Sequence, residues 1–417
     1  MYRLCLALLL VVGLSNFAFG QTPLGAPKTA AEGLKAVLAY IPQQTDAAKK
    51  AGRAMDYRAW QANKLALAKK YAALFPAESL RGAELLALAQ LYREAGELDA
   101  ARPAVEKYLA AKNLAPTERA EGLQQAVFLW AAPPYTDDTI RQAEVYLARL
   151  NQLDAAFTAH KIKARSRLAG YYSYSDIDEP NIAHHAKLLE LIKSLPAQAR
   201  QEFQGTQADA YSSIALVQAN RADIPQAIAT LKQGLSELPA EARERAWLTE
   251  SIKRYEFIGQ TGASIKGDYW LNAAAGQKEL EVRGRVTLIQ FTAHWCGPCR
   301  KSYPAMLKFH EKFAAQGIQV LFSTQLYGFF DKQQNLAAEA EVEADKKYFL
   351  EHYKIPFPVA IEPETKSEAV VTNEKNYLVG GIPQIVLLDK QGVVRLILIG
   401  WDNANEARVT RLIESLL

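Results

Sequence analysis

Two different spacings of apolar residues divide the chain. From about residue 29 to residue 255, alanine and leucine recur at helical intervals, with few glycines and almost no alternating β-branched runs. Beyond Gly262 the pattern changes to short β-type apolar runs that alternate with helical segments, which is typical of an α/β layout. The pattern therefore predicts a multidomain protein, with an all-α domain over residues 21–260 and an α/β domain over residues 261–417.

The first half contains candidate helix-turn-helix pairs. Three such pairs are predicted over residues 85–109, 211–235 and 160–195. Gly96 ends the first helix of one pair, and Tyr171–Pro180 is predicted as a long polar turn in another. These pairs resemble the tetratricopeptide repeat (TPR), which implies a curved solenoid whose concave face binds extended peptides. Peptide or protein binding and pure scaffolding both remain open for this domain, because a fold does not imply a function.

Two groups of ionisable residues are predicted to face solvent. His184 and His185 occupy adjacent helical positions, which point about 100° apart and make a poor metal chelate. The predicted helix Asn335–His352 has an acidic face, expected to be solvated, that comprises Glu339, Glu341, Glu343 and Asp345. The aromatic segment Tyr327–Phe330 is expected to pack beneath this helix, with contact to a client protein as the alternative.

The second half has a regular order of elements. We predict strands over residues 286–291, 318–323, 357–361, 384–388 and 393–399, and helices over residues 298–315, 335–352 and 405–417. The last two strands are expected to form a hairpin that turns at residues 389–392.

Residues 1–20 have the pattern of a secretory signal peptide. Arg3 supplies the positive charge, Leu6–Leu14 the apolar stretch, and Ala18-Phe19-Gly20 the small residues near a cleavage position. The apolar run is about half as long as the roughly 20 residues that a membrane span needs. We therefore expect cleavage, loss of Cys5 and a soluble periplasmic or otherwise extracytoplasmic protein, with membrane anchoring as the alternative if the segment is kept.

Composition and charge narrow the class of protein. Of 417 residues, 49 % are hydrophobic and 23 % charged, which is typical of a globular chain and argues against disorder. Lys and Arg number 49 against 45 Asp and Glu, and no long run of like charge suggests a nucleic-acid partner. The remaining cysteines, Cys296 and Cys299, are too few for a zinc site, and Arg300 stands where covalent haem attachment requires histidine. We expect neither a metal nor a cofactor.

The cysteine pair lies in an informative segment. Trp295-Cys296-Gly297-Pro298-Cys299 follows a predicted strand, and Gly381-Ile382-Pro383 precedes the late hairpin. Over residues 261–417 the chain resembles the thioredoxin superfamily, and specifically the TlpA/ResA-type extracytoplasmic thiol-disulfide oxidoreductases. A helical-repeat domain in front is a common fusion partner in that family.

The spacing of the pair suits disulfide exchange. A thiolate must attack one sulfur of a disulfide, so one cysteine should be exposed and ionised. Cys296 is predicted at the start of a helix, where unpaired N–H groups and the helix dipole favour the anion. Cys299 lies one turn further on and can displace a client held on Cys296. Pro298 suits the first turn; with help from the resemblance, Gly297 leaves room for the client and Trp295 covers one side of the sulfur.

Other residues take their roles from the resemblance. It implies a cis peptide bond at Pro383, opposite Cys296, with the backbone of Ile382 pairing with an extended client. The buried aspartate of cytosolic thioredoxins is replaced here by Gln290, which cannot titrate, so proton transfer must use water or another group. His294 is expected to be an exposed loop residue of little effect, or alternatively a cation that lowers the pKa of Cys296.

The predicted function is that of an enzyme, a thiol-disulfide oxidoreductase working mainly as a protein disulfide reductase. Cys296 is the expected nucleophile and Cys299 the resolving cysteine. Its partners would be disulfide-containing client proteins and, for re-reduction, a membrane electron donor. The alternative is a redox-gated binding protein in which the helical domain holds a partner and the dithiol acts as a switch.

Overall fold

The computed structural model describes residues 26–53, 55–175, 177–364, 372–401 and 403–417. The predicted signal segment and Cys5 lie outside these residues. Within them, no helix is both long enough and apolar enough to cross a membrane.

The first half is all-helical, as predicted. Its helices are α1 Ala30–Lys50, α2 Tyr57–Ala72, α3 Gly82–Glu94, α4 Leu98–Leu109, α5 Pro116–Trp130, α6 Asp137–Asn151, α7 Thr158–Tyr174, α8 Asp178–Ser194, α9 Ala197–Arg200, α10 Gln204–Asn220, α11 Ile224–Glu237 and α12 Arg245–Glu256. Neighbours along the chain pack in pairs, including α3 with α4, α7 with α8, and α10 with α11. Gly96, at a φ of +73°, makes the turn between α3 and α4.

Two expectations for this half are wrong. The long polar turn at residues 171–180 does not form, because α7 continues to Tyr174 and α8 begins at Asp178. His184 and His185 are both buried rather than solvent-facing. The Nδ1 atom of His185 lies 2.9 Å from the Asn181 carbonyl oxygen one turn earlier, so this ring is held by its own helix.

The described chain divides into two compact units. One comprises the described residues up to Arg149, and the other comprises Leu150–Leu417. Helices α7–α12 therefore belong to the same compact unit as the C-terminal strands. The change from helix to strand comes later, between the end of α12 at Glu256 and the first strand at Ile265.

The C-terminal part is a thioredoxin-like α/β domain. Its strands are β1 Ile265–Lys266, β2 Tyr269–Leu271, β3 Glu279–Leu280, β4 Thr287–Phe291, β5 Gln319–Gln325, β6 Phe329–Phe330, β7 Gln333–Gln334, β8 Val359–Glu362, β9 Gln384–Leu388 and β10 Val394–Ile399. Its helices are α13 Gly297–Phe313, α14 Ala338–Lys346, α15 Asn373–Asn376 and α16 Asn403–Leu416, and a π-helical turn, Lys347–His352, continues α14.

One mixed sheet forms the centre of this domain. The strand order is β10-β9-β4-β5-β8-β2, with β4, β5 and β8 parallel and the other three antiparallel to their neighbours. Every residue of β4 is buried, because the sheet is covered on both faces. Alternate β4 residues belong to separate apolar clusters, with Leu288 in one and Ile289 and Phe291 in the other. This buried central strand leads directly into the cysteine segment.

Candidate active site

Sheet register brings the two predicted halves of the site together. β4 ends at Phe291, and β9 begins at Gln384, directly opposite it in the antiparallel pair. The segment that follows β4 and the segment that precedes β9 therefore emerge at the same edge of the sheet. The first contains Cys296 and the second contains Ile382 and Pro383.

The cysteines form a disulfide at the start of a long helix. Cys296 is the N-cap residue of the 17-residue helix α13, and its Sγ is bonded to that of Cys299 in the first turn. The Cys299 backbone N–H donates to the Cys296 Sγ over 3.1 Å. An N–H donor and the positive end of the helix dipole at this sulfur favour a thiolate after reduction.

The two sulfurs differ little in exposure. Cys299 is completely buried, as expected for a resolving cysteine, whereas Cys296 keeps only 3 % of its surface exposed. The expectation of an exposed Cys296 is thus wrong for this oxidised state, because the cap position draws the side chain against the helix end and the opposing loop.

The opposing loop lies within reach of the Cys296 sulfur. The Ile382–Pro383 peptide bond is cis. The carbonyl oxygen of Ile382 lies 3.7 Å from the Cys296 Sγ. Trp295, beside the disulfide, is 48 % exposed and stands edge-on to Tyr327 with ring centroids 5.4 Å apart. A Cβ on Gly297 would make only an ordinary contact with Arg300, so the space in front of this residue is open.

His294 is neither an exposed loop residue nor a cation, the two possibilities that the sequence suggests. It is 5 % exposed, and it stacks on Phe330 with ring centroids 4.7 Å apart while Tyr327 and Phe329 stand edge-on to it. Burial lowers the pKa of His294 to about 4. The ring is therefore neutral at pH 7 and adds no positive charge beside Cys296, although its Nε2 is 3.6 Å from the Glu341 carboxylate.

The acidic face of α14 is not solvated throughout. Glu339 and Glu343 are exposed, but Glu341 and Asp345 are completely buried against the domain. The Glu341 carboxylate accepts the backbone N–H groups of Tyr327 and Gly328, each over 2.8 Å. These two hydrogen bonds hold the aromatic segment Tyr327–Phe330 against α14, as predicted from the sequence.

Burial has a different effect on Asp345. Neither of its carboxylate oxygens has a hydrogen-bond partner among the described residues. Burial, and then the nearby charge of Glu341, raise the pKa of Asp345 to about 8. Helical periodicity places Glu341 and Asp345 on one face of α14, because they are four residues apart. It gives no sign that the aromatic segment Tyr327–Phe330 packs against Glu341.

Gln290 contacts the backbone of the second cysteine, Cys299. The residue is completely buried, and its Nε2 is 3.5 Å from the carbonyl oxygen of Cys299, which also accepts the Ser302 hydroxyl over 2.7 Å. The side chain that replaces the usual buried acid is thus a neutral donor to the helix backbone.

The chain is similar to known thiol-disulfide oxidoreductases and thioredoxin-like proteins. Residues 272–397 match the AhpC/TSA family. The thiol-disulfide oxidoreductase ResA of Bacillus cereus is 30 % identical over 115 residues, which are 27 % of this chain and 54 % of that protein. The thioredoxin-like protein YneN of Bacillus subtilis is 26 % identical over 135 residues, 32 % of this chain and 68 % of that protein. The chain spans about half the length of the ResA relative.

Solved structures are also similar to a part of this chain. A putative thiol:disulfide interchange protein DsbE from Chlorobium tepidum is 24 % identical, with a TM-score of 0.29, over 38 % of this chain and 96 % of that one. The residues that match the AhpC/TSA family include both cysteines, and the resemblance to ResA-type oxidoreductases and to the thioredoxin fold is confirmed.

Proposed function

We propose that this chain is an extracytoplasmic thiol-disulfide oxidoreductase that acts mainly as a protein disulfide reductase. The observation that supports the proposal most directly is the Cys296–Cys299 disulfide at the N-terminus of α13, opposite the Ile382 carbonyl. The similarity to the thiol-disulfide oxidoreductase ResA, and the match to the AhpC/TSA family, support the same class of reaction.

The proposed reaction consists of two exchanges. The thiolate of reduced Cys296 attacks one sulfur of a client disulfide, so that a mixed disulfide forms and the other client sulfur leaves as a thiolate, which takes up a proton. Cys299, after losing its proton, attacks the Cys296 sulfur and releases the second client thiolate. Two electrons pass to the client, and the enzyme is left with the bond between Cys296 and Cys299.

Neighbouring groups have distinct tasks in this reaction. The Cys299 N–H and the helix dipole stabilise negative charge on Cys296. The backbone of Ile382 pairs with an extended client and aligns its disulfide. Because Gln290 cannot titrate and His294 is neutral at pH 7, the Cys299 proton passes to water or to another group.

The direction of the reaction is inferred from the sequence between the cysteines. Gly297-Pro298 is the dipeptide of reducing thioredoxins, whose potentials lie near about −270 mV, whereas strong oxidants lie near about −120 mV. The signal-like segment at residues 1–20 supports an oxidising, extracytoplasmic compartment, where a reductase would need a membrane electron donor to restore the dithiol.

The test is turnover of a protein disulfide together with the redox potential. We expect the full chain to reduce insulin with dithiothreitol as the electron source and to equilibrate with glutathione at a potential well below about −150 mV. A potential above that value would contradict the reductase assignment. Negligible turnover, with partner binding that changes with redox state, would instead support the redox-gated binding protein.

A further inference from the structure

A buried cation of the helical region reaches the segment that precedes Ile382. Arg254, on α12, is 6 % exposed, and its Nε donates to the carbonyl oxygen of Leu378 over 3.0 Å. Leu378 has a φ of +50°, a left-handed conformation that is unfavourable for a leucine. The arginine thus satisfies the carbonyl of a residue that is strained and lies four positions before Ile382.

The side chain of Gln384 holds this segment through two hydrogen bonds. The Nε2 of Gln384 donates to the Tyr377 carbonyl over 2.8 Å, and the Gly380 N–H donates to the Oε1 of Gln384 over 3.3 Å. Gln384 follows Pro383 directly, so its side chain closes residues 377–384 into one loop. Arg254 joins this loop to α12 through its hydrogen bond to Leu378.

The guanidinium also fits closely against the loop backbone. A Cβ at Gly380 would lie 1.9 Å from one terminal nitrogen of Arg254, so the side chain occupies the space that any other residue at position 380 would need. Arg254, Leu378 and Gly380 also line a cavity of about 430 Å³, together with residues that include Glu250 and Val379. Packing alone therefore does not fix the loop at this point.

We propose that Arg254 is a positioning residue for thiol-disulfide exchange. By holding Leu378 and Gly380, it sets the backbone at Ile382, where an extended client pairs opposite Cys296. The inference rests on the proposed function and extends it, because it makes α12 of the helical region part of the client-binding apparatus.

The test compares two arginines of the same helix in the full chain. R254M removes the contact with Leu378. R245M is the matched control, because Arg245 also donates to backbone carbonyls, those of Leu235 and Leu238, but has no contact with the loop. The measurements are kcat and KM for reduction of an extended peptide disulfide, and the alkylation rate of reduced Cys296 with iodoacetamide, which needs no pairing at Ile382.

We expect R254M to raise KM about 5- to 10-fold, the scale of the net contribution of one average hydrogen bond, with kcat and alkylation within about twofold of wild type. R254K should recover part of the loss, because one amine can still donate to Leu378. R245M should match wild type in all three measurements.

A second variant approaches the same contact from the loop. G380A should displace the guanidinium and raise KM as R254M does, and it should add little to R254M, since the group it displaces is then absent. If R254M does not fold, G380A decides by the same KM criterion.

Two results would overturn the inference. One is a KM of R254M, or of G380A if R254M does not fold, equal to that of R245M in an active protein. The other is a parallel loss of peptide reduction and alkylation, which would indicate a general structural defect. If wild type reduces no peptide disulfide, the proposed function itself has failed, and the inference falls with it.

Discussion

Replacing Asp345 by asparagine should make the protein more stable, and increasingly so as the pH rises. Asp345 is completely buried on α14, and its carboxylate has no hydrogen-bond partner among the described residues. Burial and the neighbouring Glu341 raise its pKa from 3.8 to about 8. In the folded protein the carboxyl therefore holds its proton up to about pH 8, whereas in the unfolded chain it loses that proton near pH 4.

The sign and size of the effect follow from this difference. Between the two pKa values the folded state binds one more proton than the unfolded state, so the free energy of unfolding falls as the pH rises, by about 1.4 kcal/mol per pH unit. From pH 6 to pH 8 this single group costs wild type about 2 to 3 kcal/mol. Asparagine cannot ionise, so D345N should avoid this loss.

The assay is urea unfolding of wild type and D345N at pH 6 and pH 8, followed by circular dichroism. E343Q is the matched control, because Glu343 is exposed on the same helix and its removal changes one charge without changing a buried group. D345N should gain about 2 kcal/mol over wild type between the two pH values, while E343Q stays parallel to wild type. The same difference between D345N and wild type at both pH values would refute the account of a protonated, buried Asp345.

Two further predictions test the site and the helical region. Because burial lowers the pKa of His294 to about 4, H294F should leave the pH profile of Cys296 alkylation unchanged between pH 6 and pH 9, and a rise of the midpoint by about one pH unit would show that His294 carries charge there. In α5, a Cβ on Gly122 would lie 2.6 Å from the Tyr108 ring, so G122A should destabilise the protein by about 1 to 3 kcal/mol, whereas G170A in α7, with nothing within 4 Å, should stabilise it by about 0.5 to 1 kcal/mol. Urea midpoints measure both, and shifts of the same sign in the two variants would contradict this reading of the helix crossings.

The sequence predicts the main sheet because its strands are buried apolar runs between clear breakers. β9 is found at the predicted residues Gln384–Leu388, and β4, β5 and β10 differ from the prediction by one or two residues at their ends. The strands of two or three residues, such as β1 and β2, were not predicted, because so short a segment has no periodicity to detect.

The burial of polar residues could not be predicted from the local sequence pattern. Glu341 and His185 look like surface residues from their neighbours in sequence, but each is covered by elements distant along the chain or held by its own helix. Arg254 gives no signal in the sequence either, since its role depends on a loop 124 residues away. The chemistry of the cysteine pair, by contrast, is encoded in five consecutive residues and could be predicted from them.

The most direct test of the proposed chemistry is to identify which cysteine carries the client. Reduced C299S and C296S are each mixed with a peptide disulfide, and the covalent products are analysed by mass spectrometry. We expect C299S to accumulate a mixed disulfide on Cys296, because no second thiol remains to displace the client, while C296S stays unmodified. Equal trapping by both variants, or trapping by C296S alone, would contradict the roles assigned to the two sulfurs.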